Sequence, residues 1–281
     1  MVENRPVLNF LSHLVMIVGV VVVVFPVYLA FIASTRGPND FYSGVVPLLP
    51  GPHMIENYWA MLTNGMSTSG APPIGPMMLN SLIMAVGVAV GKIAISILSA
   101  FAIVYFRFPL RTLAFWLIFI TLMLPVEVRI VPTFKVVADL GLLNNYGGLI
   151  VPLLASATAT FLFRQFFLTV PEELMEAARV DGAGHGQIFF RIILPLSMPI
   201  IASFAIFEFI WVWNDLLVAT IFAPTSSLPM TQTLNSLSGS WGDRWYLQSA
   251  GAFLVLIVPL VVFFALQRFF VRGLMAGATK G

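Results

Sequence analysis

The most constraining feature of this chain is a length. From Leu11 to Ala33 it reads LSHLVMIVGVVVVVFPVYLAFIA, and about 20 apolar residues suffice for a helix to cross a bilayer core of roughly 30 Å. Backbone polar groups in lipid must be satisfied within the segment, so runs of this length imply helices rather than open strands. The run is about twice the usual length of a signal-peptide core and contains Pro26, so it is read as a retained helix. Similar runs recur to the end of the chain. A soluble domain is about 25% charged, whereas this chain is 9% charged and 59% hydrophobic, with a mean hydropathy of +0.96. An all-α, polytopic membrane protein follows, with the lipid membrane as its surroundings.

Six helices are expected to cross the membrane: Leu11–Ala33, Met77–Tyr105, Leu113–Phe134, Leu149–Phe167, Met198–Phe222 and Ser249–Phe270. The third is the least regular. Pro125 and Pro132 bracket Glu127 and Arg129 there, and proline within a span bends the helix. With the N-terminus inside, the inner segments hold Arg5, Arg107, Arg111, Arg164, Arg179, Arg191, Arg268, Arg272 and Lys280. The outer ones hold Arg36, Arg129, Lys135 and Arg244. Nine against four follows the positive-inside bias, so both termini are expected in the cytoplasm. Outside lie a Gly- and Pro-rich loop, Ser34–Pro76, and a polar loop, Ala223–Gln248, containing Thr231, Gln232, Thr233, Asn235 and Ser236. Both are read as solvated connectors or as surfaces for an external partner.

One charged island interrupts this pattern. Of 12 acidic residues in the chain, Glu172, Glu173, Glu176 and Asp181 fall within ten positions, on the cytoplasmic side of the expected topology. Thr169 and Glu172 have capping-box spacing, with Pro171 in the first turn. The carboxylates near the start complement the helix dipole. Ala177 and Ala178 add little bulk, and the Asp181-Gly182 pair marks a turn. A second helix, roughly Gly186–Leu194, is expected to end at Pro195. The product is a helix–turn–helix with a small-residue surface, either an ordinary interfacial loop or a rigid knob for another protein's groove.

Glu176-Ala177-Ala178, three residues, Gly182, nine residues, then Ile192-Ile193-Leu194-Pro195 match the EAA motif. This pattern resembles the permease subunits of binding-protein-dependent ABC importers, of the carbohydrate type. The resemblance implies a type I importer permease fold, and it makes Glu176, Ala177, Ala178, Asp181, Gly182, Leu194 and Pro195 the contact with an ATPase. It further implies a homologous second permease, two copies of a cytoplasmic ATPase subunit, and a periplasmic or extracellular solute-binding protein. ATP and Mg²⁺ would be bound by the ATPase, leaving no cofactor in this chain, and the location would be the bacterial inner membrane. Residues 1–76 would supply the first span and external loop, 77–270 the permease core with its coupling loop at 169–196, and 271–281 a cytoplasmic tail. The stretches Val2–Pro6, Phe106–Arg111 (FRFPLR), Leu124–Thr133 (LPVEVRIVPT) and Ala155–Gln165 (ASATATFLFRQ) look most like sn-glycerol-3-phosphate permeases. From about Gly184, Trp211–Leu217 (WVWNDLL) and Phe264–Gly273 (FALQRFFVRG) look more like α-glucoside permeases.

Polar residues inside the spans are the candidates for a solute pathway. A buried Lys92 is expensive in lipid and needs protein or a water-filled cavity around it. Glu208 and Asp215 are its candidate partners, in a structural ion pair or, alternatively, with Lys92 or Arg129 meeting a phosphate. Glu127 and Arg129 either line the pathway or anchor the interface. Asn80, Trp211, Trp213 and Asn214 also qualify, because polyols stack on aromatics and bond to amides, although tryptophans near span ends also anchor interfaces.

Other chemistries lack their residues. Gly87–Lys92 (GVAVGK) has the wrong spacing and context for a phosphate-binding loop, so ATP hydrolysis is not expected of this chain. His13, His53 and His185 are scattered and make no metal or general-base cluster. The chain has no cysteine, and no basic cluster points to nucleic acid. An ion-coupled secondary transporter would need broken helices in matched halves, and a membrane enzyme would need a nucleophile–base pair. Both rank below the importer permease, whose solute would be sn-glycerol 3-phosphate or a glycerophosphodiester, or else an α-glucoside such as maltose or trehalose.

Overall fold

The computed structural model describes residues 6–41, 47–65, 73–121, 124–215, 217–223 and 245–278, without the side chains of residues 6, 41, 126, 127 and 268–278. The external-loop residues Thr231, Gln232, Thr233, Asn235 and Ser236 lie outside these, as do Arg5, Arg244, Lys280 and the side chain of Glu127. Every regular element among the described residues is helical.

The chain divides into two units, Met1–Pro76 with Thr233–Ile257, and Met77–Gln232 with Val258–Gly281. In the first, helix α1 (Pro6–Ser34) is apolar all round and exposed from Val7 to Phe25. That is the signature of a helix solvated by something other than water. The segment after it is more than a connector. Helix α2 (Met54–Thr63) interrupts the expected Ser34–Pro76 loop, with Asn57 and Met61 buried. The Asn57 amide donates to the carbonyls of Ser34 and Arg36, both at 2.9 Å. Thr35 Oγ1 accepts from the Gly51 N–H at 2.8 Å. These bonds close the end of α1, where carbonyls would otherwise lack partners. Phe31 meets Phe253 edge-on at 5.7 Å.

The second unit holds helix α3 (Ile74–Tyr105) from Met77 onward, then α4 (Arg111–Ile120), α5 (Val126–Asp139), α6 (Tyr146–Ile150) and α7 (Ala157–Phe167). After them come α8 (Glu172–Val180), α9 (His185–Ile188), α10 (Leu194–Leu196), α11 (Met198–Trp213) and α12 (Leu217–Phe222). Helix α13 (Trp245–Ala278) begins in the first unit and ends in the second. Glycine lets α3 approach its neighbours: a Cβ at Gly87 would lie 2.8 Å from Ile150 Cδ1, and one at Gly91 2.5 Å from Leu154 Cδ2. Small residues serve this close approach between membrane helices.

Among the described residues, three helices are long and apolar enough to cross a membrane: Val7–Ser34, Ile74–Tyr105 and Trp245–Gln267. Two bent pairs, Tyr146–Leu153 with Ala157–Phe167 and His185–Leu196 with Met198–Trp213, raise the number to as many as five. The expected third span is not continuous, since α4 and α5 are separate helices on either side of Leu124 and Pro125. The fourth bends by 45° where Ser156 starts a new helix, its Oγ accepting from the Ala159 N–H at 3.2 Å. The fifth stops at Trp213, and Asp215 Oδ1 accepts from the Val218 N–H at 2.9 Å to open α12.

Candidate functional site

Two features of the second unit carry candidate chemistry. The first is a cavity of about 320 Å³, within the size range of small-molecule sites, ~300–1,000 Å³. Helix α3 supplies Lys92, α11 supplies Glu208 and Trp211, and α5 supplies Arg129. Glu208 and Trp211 are three apart on one helix and so share a face. Lys92 and Glu208 are buried and form an ion pair across 116 positions of sequence. The Lys92 ammonium also lies 5.4 Å from the centre of the Trp211 ring, within cation–π range. Ser156 and Thr158 at the start of α7, with Thr121 after α4, add hydroxyls to the wall.

The remaining pathway candidates are placed elsewhere. Trp213 is 1% exposed and stacks on Phe209 at 5.7 Å, with an unpartnered indole N–H. Asn80 accepts from the Tyr146 hydroxyl at 2.5 Å. Asn214 is exposed and donates to the Ile210 carbonyl one turn back at 2.8 Å. Asp215 is occupied in opening α12.

The second feature is the charged island. Helix α8 places Glu176 and Ala177 in solvent and Met175 and Ala178 in the core. Asp181 and Gly182 turn the chain, with Gly182 in the left-handed region at φ +79° and its N–H donating to Arg179 at 3.0 Å. Three details differ from the expectation. Pro171 stands at the N-cap, and the Thr169 hydroxyl bonds back to the Phe166 carbonyl at 2.7 Å, so there is no Thr169–Glu172 capping box. The next helix starts at His185, with the Gly184 N–H donating to Gln187 Oε1 at 3.1 Å. It passes through a π-helical turn, Phe189–Ile193, and continues through Pro195 to Leu196. Pro195 has no N–H to donate to the preceding turn, and the 67° bend falls after it. Leu194 is half-buried and Pro195 exposed.

Residues 92–275 match the family described as "Binding-protein-dependent transport system inner membrane component". The chain belongs to this family. It is 48% identical over 279 residues to the sn-glycerol-3-phosphate transport system permease protein UgpE of Yersinia pestis, covering 98% of this chain and 99% of that one. The protein of the same name from Escherichia coli (strain UTI89) is 48% identical over 278 residues, with the same coverage. The aligned region spans the parts before and after Gly184. The fold matches a chain in the crystal structure of a bacterial ABC transporter involved in the import of the acidic polysaccharide alginate. The TM-score is 0.79 at 20% identity, covering 96% of this permease and 99% of that chain.

Reading the sequence did not mark the hydroxyls of Thr121, Ser156 and Thr158 as part of the permease's cavity. The signal available was the small polar run ASATAT, which breaks an apolar stretch. Nothing local signals that it faces Lys92.

Proposed function

We propose that this permease subunit forms half of an ATP-driven uptake pathway for sn-glycerol 3-phosphate or a glycerophosphodiester. The observation that carries the reading is 48% identity, over 98% of the chain, to permeases named for sn-glycerol-3-phosphate transport. A cavity lined by Lys92 and Arg129 suits an anionic solute. In this reading six spans cross the inner membrane with both termini in the cytoplasm. A homologous second permease completes the pathway, and an external binding protein delivers the solute. Two cytoplasmic ATPase subunits bind ATP and Mg²⁺ and seat the Glu176–Leu194 loop. Their closure on ATP pushes α8 and turns the pathway from inward- to outward-facing, and release of ADP and phosphate resets it. This chain hydrolyses no ATP itself.

The test is solute-stimulated ATPase activity of the assembled complex with its binding protein. Sn-glycerol 3-phosphate and glycerophosphocholine are expected to stimulate, and maltose and trehalose are not. Stimulation by the sugars alone overturns the solute, and silence towards all four overturns the ranking altogether. The coupling role is tested separately by co-purification. Glu176→Lys and Gly182→Pro are expected to lose the ATPase subunit, and its undiminished recovery in both variants refutes that role.

A further inference from the structure

The Lys92–Glu208 pair is formally neutral and closes a large cost, because either charge alone would be expensive in an apolar interior. A pair that served only to hold α3 to α11 would work equally well sealed in packing. This one stands instead on the wall of the cavity, beside a further cation, Arg129. No carboxylate pairs with Arg129 among the described residues. Among the described residues the cavity wall therefore holds two cations and one anion, with Arg129 the exposed cation. Around them, Ser156, Thr158 and Thr121 offer hydroxyls, which suit the polar remainder of a small solute.

We propose that this cavity is an exchange site for an organic phosphate, in which Glu208 is the internal anion that an entering phosphate displaces from Lys92. Arg129 makes the first contact, since its planar fork of N–H donors matches two phosphate oxygens. The Lys92 ammonium then passes from the Glu208 carboxylate to the phosphate, and the Trp211 ring keeps the cation within reach during the change. Glu208, left without its cation in a buried site, competes to take Lys92 back. That competition provides release: a transit site must bind well enough to admit its solute and weakly enough to let it go. The inference rests on the reading of the solute as a phosphate ester, and it assigns the residues that select the ester and set its residence.

The experiment uses the complete complex in liposomes, with uptake and solute-stimulated ATPase followed against sn-glycerol 3-phosphate, glycerophosphocholine and maltose. Glu208→Gln removes the competing anion. Its half-saturating phosphate ester concentration is expected to fall about tenfold, the effect of one charge-assisted bond, while the maximal uptake rate falls as well. Arg129→Gln is expected to raise the half-saturating concentration by about tenfold. The double variant Lys92→Met/Glu208→Leu replaces the pair by apolar side chains, a change that structural ion pairs often tolerate. It is expected to assemble with its partners and to lose phosphate ester uptake. Wild-type uptake in the double variant, or unchanged half-saturation in Glu208→Gln and Arg129→Gln, overturns the exchange site while leaving the phosphate solute standing. Should the double variant fail to assemble, Arg129→Gln, altered only on an exposed side chain, decides the matter alone. A wild-type complex that takes up maltose and ignores both phosphate esters overturns the solute and the exchange site together.

Discussion

A Cβ at Gly148 would lie 2.1 Å from the Leu142 carbonyl oxygen, a contact with backbone that no rotamer change relieves. The same turn is held by Asn145, whose side chain caps α6 by accepting from the Gly148 N–H at 3.1 Å. Gly148→Ala is therefore expected to move the backbone between α5 and α6 and to destabilise by about 3 kcal/mol, the upper part of the overpacking range. Gly91→Ala meets only the end of the Leu154 side chain, at 2.5 Å, which can turn away, so its cost is nearer 1 kcal/mol. Thermal unfolding of the purified variants in detergent orders them, and equal midpoints for Gly148→Ala and wild type would refute the argument.

Gly182 and Gly184 make the opposite comparison, since neither has an atom within 4 Å of an added Cβ. They differ in backbone: Gly182 has φ +79° and Gly184 φ −74°. A side chain in the left-handed region costs roughly 1–2 kcal/mol. Gly182→Ala should lose about 1 kcal/mol, with Gly182→Asn less affected, because asparagine visits that region more readily. Gly184→Ala should be neutral or gain a few tenths of a kcal/mol by restricting the unfolded chain. Chemical denaturation of the three variants checks this, and equal losses at 182 and 184 would show that the turn does not depend on the sign of φ.

These comparisons show where the sequence was informative. Apolar runs of bilayer length announced a helical membrane protein, and the EAA spacing located α8, its turn and the family. The Lys92–Glu208 pair was legible because lipid leaves a buried ammonium few options. Pro125 and Pro132 marked the third span as irregular, but hydropathy could not reveal the breaks at Ser156 and Asn214, because averaging over a span-length window dilutes one or two polar residues. The capping box failed because Pro171, adjacent to Glu172, took the cap position that spacing alone assigned to Thr169. The cavity itself draws on α3, α5, α7 and α11, and no periodicity within one helix records that Arg129 shares it with Lys92. Helical phase does separate Trp211, three residues from Glu208 and on the cavity, from the buried Trp213.

Ser156 joins a structural role to the cavity. Its Oγ caps α7 and its carbonyl accepts from the Thr160 hydroxyl at 2.9 Å, while the residue lines the wall near Lys92 and Arg129. Ser156→Ala should cost about 1 kcal/mol through the lost cap. Ser156→Asp keeps a capping acceptor but puts a carboxylate beside the two cations. It should thus be at least as stable as Ser156→Ala and yet, on the proposed solute, transport phosphate esters far more slowly. Paired measurements of melting midpoint and uptake test the crossing of the two orders. Variants that rank alike in both would remove the electrostatic part of the argument.

Phe189 lies where the island meets the spans. It opens the π-helical turn, and its ring packs 5.0 Å from that of Phe101 on α3. The same buried cluster contains Met175 and Ala178 of α8, Phe163 and Phe167 of α7, and Phe204 of α11. In the proposed coupling, a displacement of α8 would reach α11, which carries Glu208 and Trp211, through this cluster. π-helical turns recur at functional positions. Phe189→Ala empties the centre of the cluster and should cost about 3–5 kcal/mol, whereas Phe190→Ala, at a side chain 66% exposed, should cost little. On the proposed coupling, the expected signature of Phe189→Ala in a reconstituted complex is an increased number of ATP molecules hydrolysed per solute imported, with an ATPase subunit still co-purifying. A variant that retains the wild-type ratio would show that the thrust reaches α11 by another route.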